Sequence, residues 1–565
     1  MNNTNIFKIG LIALAMMIAP VSFAAKAGKV DVIVGYDAKP DHIEAKRIEN
    51  LGGKSKREFR NFNMKVISIS ENALKNVGEG KGVKFVVKDS EVFGMAVTSL
   101  APSAPEDSPA HKTANVPADG TANATYKGNN VGIAIIDSGL GQHIDLDQLA
   151  CQYDFLNGAT PGNDIENAED AAECEQGSTR SDPLGHGTHV AGVLTGSGAG
   201  SNNEHKGVAT SSKLLSLRTL DGDGRGVASD TIAALDFLLS YGDDFGIEVV
   251  NLSIGKAVEE SNTTDPLVLA VEQVWDAGMV VVVAAGNYGR DGHMTITSPG
   301  NSRKIITVGS LTDKETGGDF SDDFVSTYSS VGPTLGDHVL KPDLVAPGNK
   351  VTATISLNST LFTGLTTRVG KCRTIETYCS ANYLELSGTS MATPMVAATA
   401  ALMLQKDPSL TPATIKARLM RSARKIDAEP TFVGAGVLNV DAALNQTGTV
   451  AGQALSPLMA RSEEGPVILV EDTATLWGDA SWDAGYLWTD GYLWTDGYLW
   501  TDGYLWTDGY LWTDGYLWTD GYLWTDGYLW TDGYLWTDGY LWTDAVTNYN
   551  SLYETSTGSV DLQDD

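Results

Sequence analysis

Val131-Gly132-Ile133-Ala134-Ile135-Ile136-Asp137 is a continuously apolar run that ends on a carboxylate. A strand buried on both faces needs such a run, whereas a strand with one wet face alternates. Similar runs recur at Lys213 to Leu217, Val249 to Ser253, Val280 to Ala284 and Ile305 to Val308. Helical stretches at Thr188 to Leu194, Ser229 to Tyr241 and Pro266 to Ala277 lie between or beside them. The alternation predicts an α/β fold with a mostly parallel central sheet, helices on both faces and right-handed crossovers. The carboxyl edge of such a sheet is where ligand chemistry gathers, and Asp137 sits on it.

Two further segments carry reactive side chains beside glycines: His186-Gly187-Thr188-His189-Val190-Ala191-Gly192 and Ser387-Gly388-Thr389-Ser390-Met391-Ala392-Thr393-Pro394. The first predicts a helix that begins at His186. The second predicts a turn that exposes the Ser390 hydroxyl at the start of a helix from Met391 to Gln405, with Pro394 tolerated in its first turn. Carboxylate, imidazole and hydroxyl together are what acyl transfer requires: Asp137 accepting the Nδ1 proton of His186, and Nε2 left free as base for Ser390. His186 and His189 are three residues apart, not the four of a helical zinc pair with its carboxylate, so metalloprotease chemistry is excluded. Asn287, immediately past the apolar strand in Val283-Ala284-Ala285-Gly286-Asn287, reads by itself as a turn former.

The 565 residues are 42% hydrophobic, enough for a large core and for more than one unit. Met1 to Ala24, with Lys8, an apolar run from Ile9 to Val21 and Ser22-Phe23-Ala24, reads as a secretory signal. Its removal leaves no other apolar stretch long enough to span a bilayer. An exported chain can hold disulfides, and sequence proximity favours Cys151 with Cys174 and Cys372 with Cys379. Neither pair has zinc spacing. The net charge of −32 is unevenly spread: Lys26 to Glu91 carries 14 basic and 10 acidic residues, while the chain beyond Arg461 has 20 acidic residues and no basic one. Nucleic acid is a poor partner for such a surface.

Residues 25–100 contain a small α+β unit, with strands expected at Val30 to Gly35, Glu58 to Phe62, Met64 to Ile69 and Val83 to Val87, and helices at Pro40 to Leu51 and Glu71 to Val77. Residues 101–127 read as a linker and the catalytic unit as 128–446, with a second linker at 447–484. Residues 485–544 then repeat Tyr-Leu-Trp-Thr-Asp-Gly, ten copies in all, before an acidic tail at 545–565. The even period would place every Tyr and Trp on one face of an extended chain, with Asp-Gly turns between short strands. Identical units also specify register poorly, so low-complexity disorder stays open.

Asp137-Ser138-Gly139 with His143 and Asp145-Leu146, then the His186 segment, then Gly388 to Pro394, resemble in chain order the three signatures of the subtilisin-like serine proteases, the subtilases. The resemblance covers about Gly128 to Gln446, and Gly28 to Met95 resembles the family's inhibitor-like propeptide. It implies a secreted endopeptidase with Asp137, His186 and Ser390 as its triad and Asn287 donating to the oxyanion; in the family, His189 is structural. It further implies a substrate edge at Ser253, Ile254 and Gly255, and a first pocket walled by Ala285, Gly286 and Tyr288, where Tyr288 favours an apolar or aromatic side chain before the scissile bond. Calcium is implied at Asp145, with Asn202 and Asn203 in the loop after the His186 helix. Thr352 to Tyr383 reads as an insertion at one rim of the cleft. The expected partners are a protein or peptide substrate and the chain's own propeptide, released by self-cleavage. The alternative is a protein that binds a surface or polysaccharide chiefly through its repeats.

Overall fold

The computed structural model describes residues 28–96, 109–118, 121–159, 180–365 except 315, 317 and 318, 383–461 except 427, and 467–469. The signal, the repeats, Cys174, Cys372 and Cys379 therefore lie outside the described residues.

The N-terminal unit is a four-stranded antiparallel sheet. Its strands are β1 (Lys29–Tyr36), β2 (Lys54–Glu58), β3 (Met64–Ser70) and β4 (Val83–Lys88), in the order β2-β3-β1-β4. The helix His42–Asn50 starts where Asp41 caps it, its carboxylate accepting from the amides of Ile43 and Glu44. One face of the sheet forms its own small core of Val32, Val34, Ile48, Ile67 and Ile69. The other face delivers Ile33, Met64 and Val66 to the main core, joined by Phe59 and Phe62 from the loop between β2 and β3. Glu58 to Phe62, expected as a strand, is instead mostly loop, because its amides serve a different partner: the backbone N–H groups of Arg60 and Asn61 donate to Asp236, both at 2.6 Å. A short strand that alternation did not reveal, β5 (Glu91–Gly94), follows β4.

The main unit is built on β6 (Gly132–Asp137), β7 (Leu149–Asp154), β8 (Lys213–Arg218), β10 (Ile247–Leu252), β12 (Val280–Ala284), β13 (Ile306–Thr312), β14 (Phe324–Val325) and β15 (Leu344–Pro347). Their order is β14-β13-β12-β10-β6-β8-β7, with β15 also pairing β13, and every pairing but β13 with β14 is parallel. All six residues of β6 and all five of β12 are buried, as the unbroken apolar runs require. The helix Thr389–Lys406 runs through the middle of this packing, buried from Thr389 to Leu404. A two-stranded hairpin, β16 (Val351–Thr354) with β17 (Tyr383–Leu386), forms the base of the Thr352 to Tyr383 insertion. The two short strands β9 (Arg225–Val227) and β11 (Ile254–Gly255) stand apart from the main sheet, and β5 lies between them.

The N-terminal unit is tied to the main unit by a buried ion pair, Arg57 with Asp230 at 2.9 Å. The same guanidinium donates through its two terminal nitrogens to the carbonyls of Ser229, Phe155 and Ala159, which strengthens the interface. Asp89 accepts from the Ser229 amide and hydroxyl in the first turn of the helix Ala228–Tyr241. The contacts run in both senses, basic Arg57 meeting acidic Asp230 and acidic Asp89 meeting a helix start.

Two stretches expected as linkers are partly packed. Pro109–Thr113 is a helical turn with Ala110 buried, and Thr113 donates to Asp313. Beyond residue 446, Val450, Ala454, Ser456 and Met459 are buried. Ser456 is held on every side: its amide donates to Arg303 at 2.8 Å, its carbonyl accepts from the Arg303 guanidinium at 2.9 Å, and its hydroxyl donates to Asp343 at 2.6 Å while accepting from Lys416 at 2.8 Å. Asp343 also pairs with buried Lys341 at 2.6 Å. Composition could not show this, since it depends on three distant charged residues converging. Ser456→Ala removes one partner each from a buried ammonium and a buried carboxylate; it should lower the unfolding free energy by about 1–3 kcal/mol in urea titrations.

Candidate active site

Asp137 ends β6 and His186 opens the helix His186–Thr195; both side chains are almost fully buried, and His186 Nδ1 lies 2.7 Å from Asp137 Oδ1. Burial alone would push the imidazole down, but the Asp137 charge and hydrogen bond, with Asp182 farther off, hold it above its ordinary value. With Nδ1 bonded to a carboxylate, Nε2 is the nitrogen left for proton transfer.

Asp182 is a supporting residue that the motifs did not point to. Its Oδ1 accepts from the Ser138 hydroxyl at 2.8 Å and the Gly185 amide at 2.7 Å, and its Oδ2 from the Thr188 amide at 2.8 Å and hydroxyl at 2.6 Å. It therefore binds the start of the His186 helix to the turn after Asp137. The available signal was an acidic residue shortly before a helix start. His189 faces the other way: Nε2 donates to the carbonyls of Val351 and Leu384 at 3.1 and 2.9 Å, and burial pushes its pKa down to about 3. It is a neutral pin for the β16–β17 hairpin, as the resemblance implied.

Ser390 lies in the first turn of its helix and is fully buried beneath residues 95 and 96. Its hydroxyl donates to the Ser253 carbonyl at 3.0 Å, and its amide donates to the Met95 carbonyl at 3.1 Å. Asn287 Oδ1 accepts from the Thr389 amide at 3.0 Å and hydroxyl at 3.1 Å. The first of these partners is solely a donor, so the oxygen of Asn287 must face Thr389, and its NH2 is fixed on the opposite side. A Cβ placed on Gly388, at φ +152°, would meet the Met95 carbonyl oxygen at 2.5 Å and Asn287 Nδ2 at 3.3 Å. Only glycine lets this backbone pass so close to the Met95 carbonyl, which the Ser390 amide also contacts.

The strand β5 fills the cleft. Glu91, Val92 and Phe93 pair antiparallel with Val227, Gly226 and Arg225 of β9, and Phe93 and Gly94 with Gly255 and Ile254 of β11. The Met95 amide then donates to the Ser253 carbonyl at 3.1 Å. Ser253, Ile254 and Gly255 thus form the edge along which β5 and Met95 lie. Met95 is 3% exposed, and a Cβ on Gly255 would lie 2.9 Å from its Cε and 2.6 Å from Thr297 Oγ1. Thr297, whose amide and hydroxyl both bond the Ala285 carbonyl, also crowds Gly286 and is a pocket residue that the sequence did not single out. Ala285 is buried in that wall, whereas Tyr288 is 44% exposed, so the apolar character of the pocket comes from Met95's surroundings without the Tyr288 ring being buried there.

The calcium expectation does not fit the donors. Asp145 Oδ1 accepts from the Gly200 amide at 2.7 Å and Oδ2 from the Tyr383 hydroxyl at 2.6 Å, and the His143 and His205 rings pack on Tyr383. Calcium needs six to eight oxygens converging on one point. Asn202 and Asn203 occupy left-handed turn positions and are exposed, and among the described residues no group of three or more histidines, cysteines, aspartates or glutamates could hold a metal. Cys151, buried on β7, is disulfide-bonded. Tyr383→Phe should cost about 1–3 kcal/mol by leaving the buried Asp145 carboxylate short of a donor.

The profile of the subtilase family matches residues 128–443. Serine protease AprX of Bacillus subtilis (strain 168) is 36% identical over 325 residues, 56% of this chain and 66% of that protein, so the match spans just under two thirds of it. Subtilisin NAT of Bacillus subtilis subsp. natto is 30% identical over 400 residues, 70% of this chain and 84% of that protein. The extracellular serine proteinase of Thermus sp. (strain Rt41A) is 29% identical over 388 residues, 68% of this chain and 77% of that protein. The crystal structure of fervidolysin from Fervidobacterium pennivorans, a keratinolytic enzyme related to subtilisin, superposes with a TM-score of 0.56 at 21% identity, over 75% of this chain and 62% of that one, a likeness of fold. The chain belongs to the subtilase family, the subtilisin-like serine-type endopeptidases.

Proposed function

We propose that the chain is a secreted protease precursor that cuts its own Met95–Ala96 bond. The observation that carries this is the Met95 carbonyl, which accepts from the Ser390 amide at 3.1 Å while β5 is paired along both cleft edges. Peptide substrates add to exposed edges in the same way, with backbone giving affinity and pockets giving selectivity.

In this reading Ser390 Oγ turns from the Ser253 carbonyl and attacks the Met95 carbonyl carbon as His186 Nε2 takes its proton. The carbonyl oxygen becomes an oxyanion facing the Ser390 amide and the Asn287 side-chain amide. Removal of one such donor typically costs about 2.7–4 kcal/mol of transition-state stabilisation. The C–N bond then breaks, Ala96 leaves as an amine with the proton from His186, and water releases the Met95 acyl group by the reverse relay. Asp137 holds the imidazole throughout. Residues 28–95 are then the propeptide: they remain docked by Arg57 and Asp89 and block the cleft until removed. Substrates cut in trans would present buried apolar side chains where Met95 and Val92 now sit, 3% and 0% exposed. Full burial of such groups contributes about 1.5–3 kcal/mol each. The repeat tail enters only through its sequence, as an attachment element that holds the enzyme near a surface or polymer.

Ser390→Ala should accumulate the full precursor, whereas the parent should yield a mature chain whose N-terminal residue by mass spectrometry is Ala96; a mature terminus elsewhere, or maturation of purified Ser390→Ala, defeats the proposal. The raised His186 value sets the sign of the pH response. Below it the imidazole is charged and cannot accept a proton, so kcat/KM should fall as pH drops through a midpoint above 6.5, the ordinary histidine value. Asp137→Asn should move that midpoint down and lower kcat by about 10⁴.

A further inference from the structure

Outside the pockets for Met95 and Val92, the bound strand meets charge on both sides. Arg225, on β9 opposite Phe93, brings Nη1 to 4.0 Å from Glu91 Oε1 and stacks its guanidinium 5.9 Å from the centre of the Phe93 ring. On the other side, the Ser90 hydroxyl donates to Glu259 Oε2 at 2.5 Å. Glu259 belongs to a loop that continues from β11, and the base of that loop is locked. Lys256, 3% exposed, reaches Asp265 at 2.9 Å and Glu260 at 3.1 Å, while its backbone exchanges both hydrogen bonds with Ser298. Asp265 in turn caps the helix Pro266–Asp276 through the amides of Leu267 and Val268. The loop is therefore held at its base by contacts that do not involve β5.

We propose that Arg225 and Glu259 form an outer subsite that reads charge on the substrate. Arg225 selects an acidic residue five positions before the scissile bond, and Glu259 selects a hydrogen-bond donor or cation six positions before it. The proposal rests on Met95–Ala96 as the reading frame, in which Glu91 and Ser90 occupy those positions. Both groups are exposed, so the selection is modest and screened by salt, and it acts on peptides whose apolar side chains already fit. The substrate class that results is an extended segment with a charged upstream end and apolar anchors nearer the cut.

The test uses mature enzyme from the full chain and quenched fluorescent peptides that share Val-Phe-Gly-Met-Ala and differ only in the two preceding residues. At low salt, kcat/KM should favour Ser-Glu over Ser-Lys by about threefold, and Lys-Glu over Glu-Glu by a similar factor. About 0.5 M salt should flatten both preferences. Arg225→Glu should reverse the first order and Arg225→Gln should level it; Glu259→Lys should reverse the second. Preferences absent in the parent, or unchanged in these variants, overturn the outer subsite. A peptide set that is not cut after Met at all instead overturns the assignment of the scissile bond, so the two failures are distinct.

Discussion

Between β9 and β11 there is a gap one strand wide, and its backbone donors and acceptors have to be met. The main sheet pairs its interior strands on both sides, but β9 and β11 are joined only through the strand between them. β5 meets them on both sides through its backbone, which sets the Met95 carbonyl against the Ser390 amide while the side chains of Val92 and Met95 are buried. Much of the rest follows from keeping the gap that width. Ser253 bonds the Met95 amide with its carbonyl and the Ser390 carbonyl with its hydroxyl, so one residue holds both the end of the inserted strand and the start of the Ser390 helix. Lys256 and Thr297 hold the far wall.

The sheet was legible because its strands are buried on both faces. β12 is an uninterrupted apolar run and its bounds agree with the expectation to the residue. β7 and β15 were not read in advance: Leu149–Asp154 mixes half-buried and polar residues at a sheet edge, and Leu344–Pro347 ends in a residue that discourages a strand assignment. β5 escaped for a different reason. Four residues containing a glycine have little preference of their own, and their conformation is imposed by the strands they join.

For the site, the glycine-flanked motifs singled out Asp137, His186 and Ser390 because each lies at a fixed offset from a turn, whereas Asn287 read alone as a turn former and gained a further role only through the family resemblance. Asp182 and Thr297 act through contacts with residues far along the chain, and no local spacing reveals such contacts. Asp145 shows the opposite case, a position that matches a family ligand in sequence while its oxygens serve an amide and a tyrosine. The identity of a side chain indicates what it can bind, and its neighbours decide what it does.

The burial of Ser456 bears on how force enters the molecule. The chain leaves the main unit through Ser456 and a short antiparallel contact of Leu458 with Val339, before the aromatic repeats begin. If the tail is fastened to a solid and the fluid around it moves, tension is passed to Asp343, Lys416 and Arg303, groups rooted in the segments leading to β15 and β13 and in the helix Pro412–Ser422. The load then spreads into the interior at the sheet end opposite the reactive edge. In a tether of this kind the first groups to bear the load are these buried charges.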